Sequence, residues 1–137
     1  MDGNLTLDEL YAAANEMCRK WWGVDYTGTI RLVDADWKRR WAVFRFSRND
    51  NSLREIRMSR KVNAKLSRST VLDNLLHELV HWRIFTETWR QHGTAKASAA
   101  ADDGSPEFVR ECLRVGASLS GTNKARHAAK LYGGVTQ

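Results

Sequence analysis

The sequence predicts an α+β domain with an N-terminal helix, a small antiparallel three-stranded sheet, a histidine-bearing central helix and a C-terminal helix. Three segments of the 137-residue chain repeat apolar residues at helical spacing, and three short runs between the first two alternate apolar with polar residues. Hydrophobic residues make up 42% of the chain, enough for one core at this size. We expect one domain over residues 1–122 and a basic tail over 123–137.

The first helix is predicted over residues 5–22. Thr6 followed by Glu9 fits a capping box, and Gly23 is typical of a helix end. The residues at helical spacing that would form its apolar face are Leu7, Leu10, Tyr11, Ala14, Met17, Cys18 and Trp21.

Three strands are predicted over residues 29–33, 41–46 and 53–59, where apolar and polar residues alternate. The polar run 47–52 indicates a turn between the second and third strands. Because short loops join the three runs, we expect consecutive strands to pair as an antiparallel meander.

Two more helices are predicted after the strands. Ser69 and Thr70 would begin the longer one, which would extend to about residue 89, and Pro106 would begin the other, which ends at Gly116. Between them, residues 95–105 are small or polar and include glycine and aspartate, so we expect a loop. The basic tail is expected to be partly disordered.

The composition excludes several classes of protein. No run approaches the roughly 18 apolar residues of a membrane span, and the acidic, polar first ten residues do not form a secretory signal. The two cysteines, Cys18 and Cys112, lie far apart and are expected to be reduced thiols of a cytoplasmic protein. No CxxC pair is present, which excludes a zinc ribbon.

The formal net charge is +6, and the chain has six tryptophans, three tyrosines and four phenylalanines. This balance suits a protein that attracts phosphates and stacks bases. It equally suits a basic protein whose aromatic residues form its core, and charge alone does not decide between them.

Residues 77–81 read His-Glu-Leu-Val-His, an HExxH motif inside the predicted second helix. Residues four apart share a helix face, so the His77 and His81 imidazoles can reach one metal ion, and two neutral imidazoles suit Zn²⁺. Glu78 can then hold a water molecule and act as general base. The alternative is a surface helix with two incidental histidines, but the apolar residues around the motif predict burial, where unpaired imidazoles are costly.

The third metal ligand stays open from the residues alone. The metzincin pattern needs glycine at position 84 and histidine at position 87, where this chain has Ile84 and Glu87, so that class is excluded. Two candidates remain, His92 and the pair Asp102-Asp103. The first could be an ordinary exposed histidine, and the second an acidic cluster before a helix, which the helix dipole alone favours.

Three elements around the motif match one family pattern. They are the strand Ile-Arg-Met-Ser at 56–59, the helix segment Leu-Leu-His-Glu-Leu-Val-His at 75–81, and Gly-Ser-Pro-Glu-Phe at 104–108, followed by Leu-Ser-Gly-Thr at 119–122. In these features the chain resembles the SprT-like metalloprotease domain, the family that includes Spartan. The resemblance covers roughly residues 5–122.

The resemblance implies a zinc-dependent peptidase with a zincin active-site helix. His77 and His81 would bind Zn²⁺, a water molecule would fill the fourth position, and Glu78 would be the general base.

The family pattern also bears on the third ligand. Gly104 stands where some members carry the third zinc-binding histidine, so Asp103, one residue earlier, is the preferred ligand, since a carboxylate also binds zinc. If His92 is the ligand instead, residues 94–105 are an insertion.

The resemblance further implies substrates that are proteins bound or crosslinked to DNA, and a single-stranded or junction DNA partner. The short chain suggests a bacterial or phage protein, in the host cytoplasm or nucleoid. The best candidate for DNA contact is the run Trp37, Lys38, Arg39, Arg40 and Trp41. Its cations can meet phosphates and its tryptophans can stack on bases; the alternative is a basic turn with two core or edge tryptophans.

Two other functions remain compatible with the motif. One is a catalytically weak or inactive zinc-containing module that binds DNA or a protein. The other is a zinc hydrolase that acts on a small amide or one partner protein, with activity indifferent to DNA.

Overall fold

The computed structural model of the chain describes residues 2–47 and 53–119, together with residues 127, 130 and 131. Over these residues it contains five helices and a three-stranded sheet, which confirms the predicted α+β class. The chain divides into two compact units, Met1–Leu79 and Val80–Gln137. The remainder of the predicted tail, most of the turn over 47–52 and the family-like residues 120–122 lie outside the described residues.

The first unit contains one long helix, the sheet, a one-turn helix and the start of the motif helix. The elements are α1 (Leu7–Trp22), β1 (Thr29–Val33), β2 (Ala42–Phe46), β3 (Arg54–Ser59), α2 (Arg60–Asn63) and the first part of α3 (Arg68–His92).

Helix α1 ends at Trp22 as predicted but begins at Leu7, two residues after the expected start, because Thr6 is its N-cap. The Thr6 hydroxyl accepts a hydrogen bond from the Glu9 amide, and the Glu9 carboxylate accepts one from the Thr6 amide, both at 3.1 Å. These bonds satisfy two amides that the first helical turn leaves unpaired. The Thr6 amide and the Arg68 guanidinium, 3.1 Å away, together hold the pKa of Glu9 below its usual value. At the other end Gly23 adopts φ 68°, which favours glycine.

The antiparallel meander is wrong, because the sheet is mixed. Its strand order is β1-β3-β2, with β3 parallel to β1 and antiparallel to β2. Residues 34–41 cross from β1 to the far side of β3, a distance of about 10 Å that this connection spans easily. The central place suits β3, because it contains the fully buried Ile56 and Met58.

The outer edge of β1 is covered by a side chain. The Ile30 amide donates a hydrogen bond to the Tyr11 hydroxyl at 2.8 Å, and the same hydroxyl donates to the Ile30 carbonyl at 3.4 Å. One tyrosine of α1 therefore pairs both backbone groups at this position of the strand.

Two helix starts differ from the expectation. The one-turn helix α2 was not predicted; it follows β3 directly, and the Ser59 hydroxyl caps it by accepting from the Val62 amide at 3.2 Å. Helix α3 begins at Arg68 rather than at Ser69 or Thr70, because the Ser67 hydroxyl accepts from the Thr70 amide at 3.2 Å. The sequence offers several adjacent hydroxyls, and the first of them serves as the cap.

The second unit contains the rest of α3, then α4 (Thr94–Ala100) and α5 (Pro106–Val115). The loop predicted over 95–105 is wrong for its first part, since α4 occupies it. Four alanines in this segment favour a helix, and the flexible, polar residues come only after them. Helix α5 begins at Pro106 and ends before Gly116, which has φ 78°, as predicted.

No helix among the described residues is long and apolar enough to cross a membrane. Cys18 and Cys112 are both buried, and they do not form a disulfide with each other.

Replacing Thr6 by alanine removes the hydroxyl of the capping box. We expect the free energy of unfolding to fall by about 1 kcal/mol, measured by urea denaturation. Thr6→Ser keeps the hydroxyl and should stay close to wild type. Equal stability of Thr6→Ala and wild type would show that the capping box does not stabilise α1.

Candidate metal centre

The HExxH residues lie in the middle of α3. The helix runs from Arg68 to His92 and continues unbroken between Leu79 and Val80, where the two units meet in the sequence. The side chains of His77 and His81 are 15% and 13% exposed. Four residues of helix bring both rings onto one face, so their relative position is set by the helical repeat.

Glu78 is buried, with 6% of its surface exposed. Its Oε2 atom lies 3.9 Å from the Nε2 atom of His77. A carboxylate is costly to bury without a cation or hydrogen-bond donors. Its burial beside a candidate metal ligand places a proton acceptor where a metal centre would need one.

Both nitrogens of the His81 ring lie close to residues that follow α4 in the sequence. Nδ1 lies 2.5 Å from the Ala101 carbonyl oxygen, which can only accept, so Nδ1 carries the hydrogen. Nε2 lies 2.9 Å from Oδ1 of Asp103. The ring also stacks on Phe108, with centroids 4.0 Å apart and planes inclined by 16°. These contacts direct Nε2 towards the carboxylate and fix the tautomer that metal binding requires.

His77, His81 and Asp103 form a group with metal-binding dimensions. Each offers one ligand atom, and the three atoms lie within 4.8 Å of one another. Two metal–ligand bonds of about 2 Å each place ligand atoms at most about 4 Å apart, so small side-chain rotations would bring the three atoms onto one ion. Two imidazole nitrogens and one carboxylate oxygen are also the donor set of catalytic zinc sites, which leave a fourth position open. The residues present therefore fit the expected Zn²⁺.

Asp103 lies on a short turn between α4 and α5, residues 101–105, which we name the ligand turn. Within it the Asp102 side chain accepts from the Gly104 amide, and the Asp102 carbonyl accepts from the Ser105 amide, both at 2.9 Å. These bonds fix the backbone on either side of Asp103. The sequence pointed to Asp103 through its position relative to the Pro-Glu-Phe element, but did not indicate the hydrogen bonds of the turn.

The alternative ligand, His92, is placed elsewhere. It is the last residue of α3 and is exposed. Because α3 stays helical from His81 to His92, the two residues are separated by about 16 Å along the axis, too far to share one ion. Glu87 stands where the metzincin pattern has a histidine. It pairs with Arg83 at 3.0 Å and with Arg90 at 3.6 Å. The structure thus brings Asp103, and not His92, to the two motif histidines.

A cavity of about 810 Å³ borders the ligand turn within the second unit. The turn contributes Asp102, Gly104 and Ser105 to its lining, and His92 contributes from the end of α3. The sequence did not indicate this cavity, because α4, which contributes Lys96, Ala99 and Ala100 to its lining, was expected to be a loop.

The basic and aromatic run predicted for DNA contact lies on the connection between β1 and β2. Lys38, Arg39 and Arg40 are exposed, and so is Trp41, at 49%. Trp37 is half-buried, and the Arg40 guanidinium lies 6.0 Å from the centre of its ring. This distance is within the range of a cation–π contact.

Helix α2 and the residues on either side of it hold that connection in place and add charge to it. Asp34 pairs with Arg60 at 3.3 Å, and Asp36 pairs with Lys65 at 3.7 Å. The Ser59 hydroxyl also donates to the Ala35 carbonyl. The contribution of α2 was missed, because a one-turn helix leaves no periodic signal in the sequence.

Comparison of the chain with protein-family models, curated proteins and solved structures gives no match. The SprT-like resemblance therefore rests on the motif and the elements around it.

Removing the carboxylate should remove the metal. In Asp103→Ala we expect zinc affinity to fall by more than about 100-fold, because a direct ligand is lost, whereas neighbours of ligands alone cost about 10- to 100-fold. His92→Ala is the matched control and should keep about one zinc per chain, like wild type. Elemental mass spectrometry of the purified, dialysed proteins measures the zinc that each variant retains. A His92 variant that loses its zinc while Asp103→Ala keeps it would reverse the ligand assignment.

Proposed function

We propose that the protein is a zinc-dependent metallopeptidase of SprT-like type, which cleaves proteins bound or crosslinked to DNA. The observation that carries the proposal is the group of His77, His81 and Asp103, with ligand atoms within 4.8 Å, beside the buried Glu78. The same motif serves in unrelated metal hydrolases, so the family elements on either side of it support the narrower assignment.

The roles of the residues follow from their positions. His77, His81 and Asp103 would hold the ion, which when bound supplies a Lewis acid that polarises a carbonyl and acidifies water. Glu78 accepts a proton from the attacking water at its carboxylate and returns it to the leaving amine. The Ala101 carbonyl keeps the His81 ring in the orientation that presents Nε2.

A DNA partner is supported by the charge and by the exposed run on the β1–β2 connection. The net charge of +6 favours binding to phosphates, and the exposed Trp41 offers a ring face for stacking. Lys61 on α2 is exposed as well. We also propose a cytoplasmic location, which suits the buried thiols of Cys18 and Cys112.

The alternative is a zinc-containing module that binds DNA or a protein and is catalytically weak or inactive. It is favoured by the carboxylate at the third ligand position, because a departure from the family pattern there can lower activity. Metal content is the same for both functions, so only an activity measurement separates them.

Glu78→Gln removes the proton acceptor and leaves the three ligands intact. We expect peptidase activity on a DNA-bound protein substrate to fall by about 10²- to 10⁴-fold, with zinc content unchanged. Activity is followed by gel electrophoresis of the substrate with and without single-stranded DNA. Wild-type protein that holds zinc but cleaves no better than Glu78→Gln would favour the binding module.

Trp41→Ala should weaken binding to single-stranded DNA by about 5- to 150-fold, the loss expected for one stacked base. Trp41→Phe keeps an aromatic face and should retain most of the affinity. Fluorescence anisotropy with a labelled oligonucleotide at two salt concentrations measures the change. If all three proteins bind equally, Trp41 is not part of the DNA contact.

A further inference from the structure

The candidate ligand Asp103 differs from the two histidines in how it is held. His77 and His81 inherit their positions from one long helix, whereas Asp103 lies on the five-residue ligand turn between α4 and α5. The bonds within the turn fix the backbone beside Asp103, whereas further bonds are needed to hold the two ends of the turn relative to α4 and α5. The residue that supplies such bonds is therefore as important to the centre as the ligand itself.

Ser105 supplies them. It is buried, with 8% of its surface exposed, and its hydroxyl makes two hydrogen bonds of opposite sense. The hydroxyl donates to the Ala100 carbonyl at 2.5 Å and accepts from the Phe108 amide at 3.0 Å. Ala100 is the last residue of α4 and Phe108 lies in the first turn of α5, so one oxygen atom bridges the two helices that flank the turn.

The segment that this bridge encloses contains a neighbour of each nitrogen of the His81 ring. The Ala101 carbonyl meets Nδ1, and the Asp103 carboxylate meets Nε2. The residue whose amide donates to Ser105, Phe108, stacks on the face of the same ring. A shift of α4 against α5 would therefore move all three neighbours of the imidazole together.

We propose that Ser105 is a positioning residue of the metal centre, whose bridging hydroxyl holds Asp103 and the Ala101 carbonyl against His81. The inference rests on the zinc centre of the proposed function and assigns to it a residue outside the ligands and the general base. Ser105 is not one of the three candidate ligands and acts through the ligand turn.

A serine at the start of a helix can also serve only as a cap. The cap uses the hydroxyl oxygen as an acceptor, whereas the bridge to α4 also uses the hydroxyl hydrogen as a donor. Capping α5 requires only an acceptor for the Phe108 amide. Bridging to α4 requires in addition a donor for the Ala100 carbonyl. Aspartate at this position keeps the acceptor, is a good cap, and has no hydrogen to donate when ionised.

The test compares Ser105→Asp, Ser105→Thr and Ser105→Ala with wild type in the full-length protein. Co²⁺ is titrated into each metal-free protein, and its visible absorption reports both affinity and the geometry of the ligands. We expect Ser105→Thr to match wild type. We expect Ser105→Asp to melt near the wild-type temperature yet to bind Co²⁺ about 10- to 100-fold more weakly, with an altered spectrum. The added negative charge would by itself strengthen cation binding, so weaker binding has to come from the displaced turn.

Ser105→Ala is compared with Thr6→Ala, which removes a cap of the same kind from α1. If lost stability alone weakened metal binding, the two variants would lose affinity equally; the proposal expects the loss only in Ser105→Ala. This pair separates an effect of Ser105 on the centre from a general loss of stability, even if Ser105→Asp fails to fold.

Two results would overturn the inference. Wild-type affinity and spectrum in Ser105→Asp would show that the donor to Ala100 has no effect on the centre, and the zinc site itself would stand. A wild-type protein that binds neither Co²⁺ nor Zn²⁺ would overturn the metal centre together with the proposed function.

Discussion

The orientation of the His81 imidazole is the constraint on which the rest of the candidate centre depends. Its Nδ1 atom meets a backbone carbonyl and its Nε2 atom meets a carboxylate, so rotation of the ring would break both contacts. Helix α3 supplies His77 one turn earlier without further ordering. The helix has a fixed register, so the remaining parts have to be built to meet the ring: α4, the ligand turn and α5 bring the carbonyl, the carboxylate and the Phe108 face to it.

In the proposed zinc centre, a carboxylate at the third position would change the electrostatics. A divalent cation held by two neutral imidazoles and one carboxylate carries a net charge of about +1, whereas three imidazoles would leave about +2. The lower charge makes the ion a weaker electrophile, while the negative ligand attracts it more strongly. The buried Glu78 adds a second carboxylate nearby, which lowers the net charge of the pocket further.

The fold and the centre could be predicted from the sequence wherever the signal is local. The capping box at Thr6, the helix end at Gly116 and the helical placement of His77 and His81 depend on residues a few positions apart. The order of the strands is not a local property, because it depends on which strand is buried on both faces. The alternation of apolar and polar residues is similar in all three strands and does not show this. Helix α4 was missed because glycine and aspartate just beyond it outweighed its alanines.

The choice between Asp103 and His92 shows the same limit. Spacing along the chain allowed either residue. The distance in space between His92 and the motif depends on whether α3 continues past residue 89. It does continue to His92, which carries that histidine away from the motif, and the chain returns only through α4. A difference of three residues in the length of one helix thus decides which side chain reaches the centre.

The Tyr11 hydroxyl on β1 has a consequence for the behaviour of this protein at high concentration. An edge strand with free amides and carbonyls is a template on which a strand of another molecule can pair, and such pairing is a route to aggregation. At Ile30 both backbone groups are already bonded to Tyr11, so an incoming strand would have to displace a buried contact before it could pair there. The Tyr11 hydroxyl thus makes the outer edge of β1 less open to intermolecular pairing at Ile30.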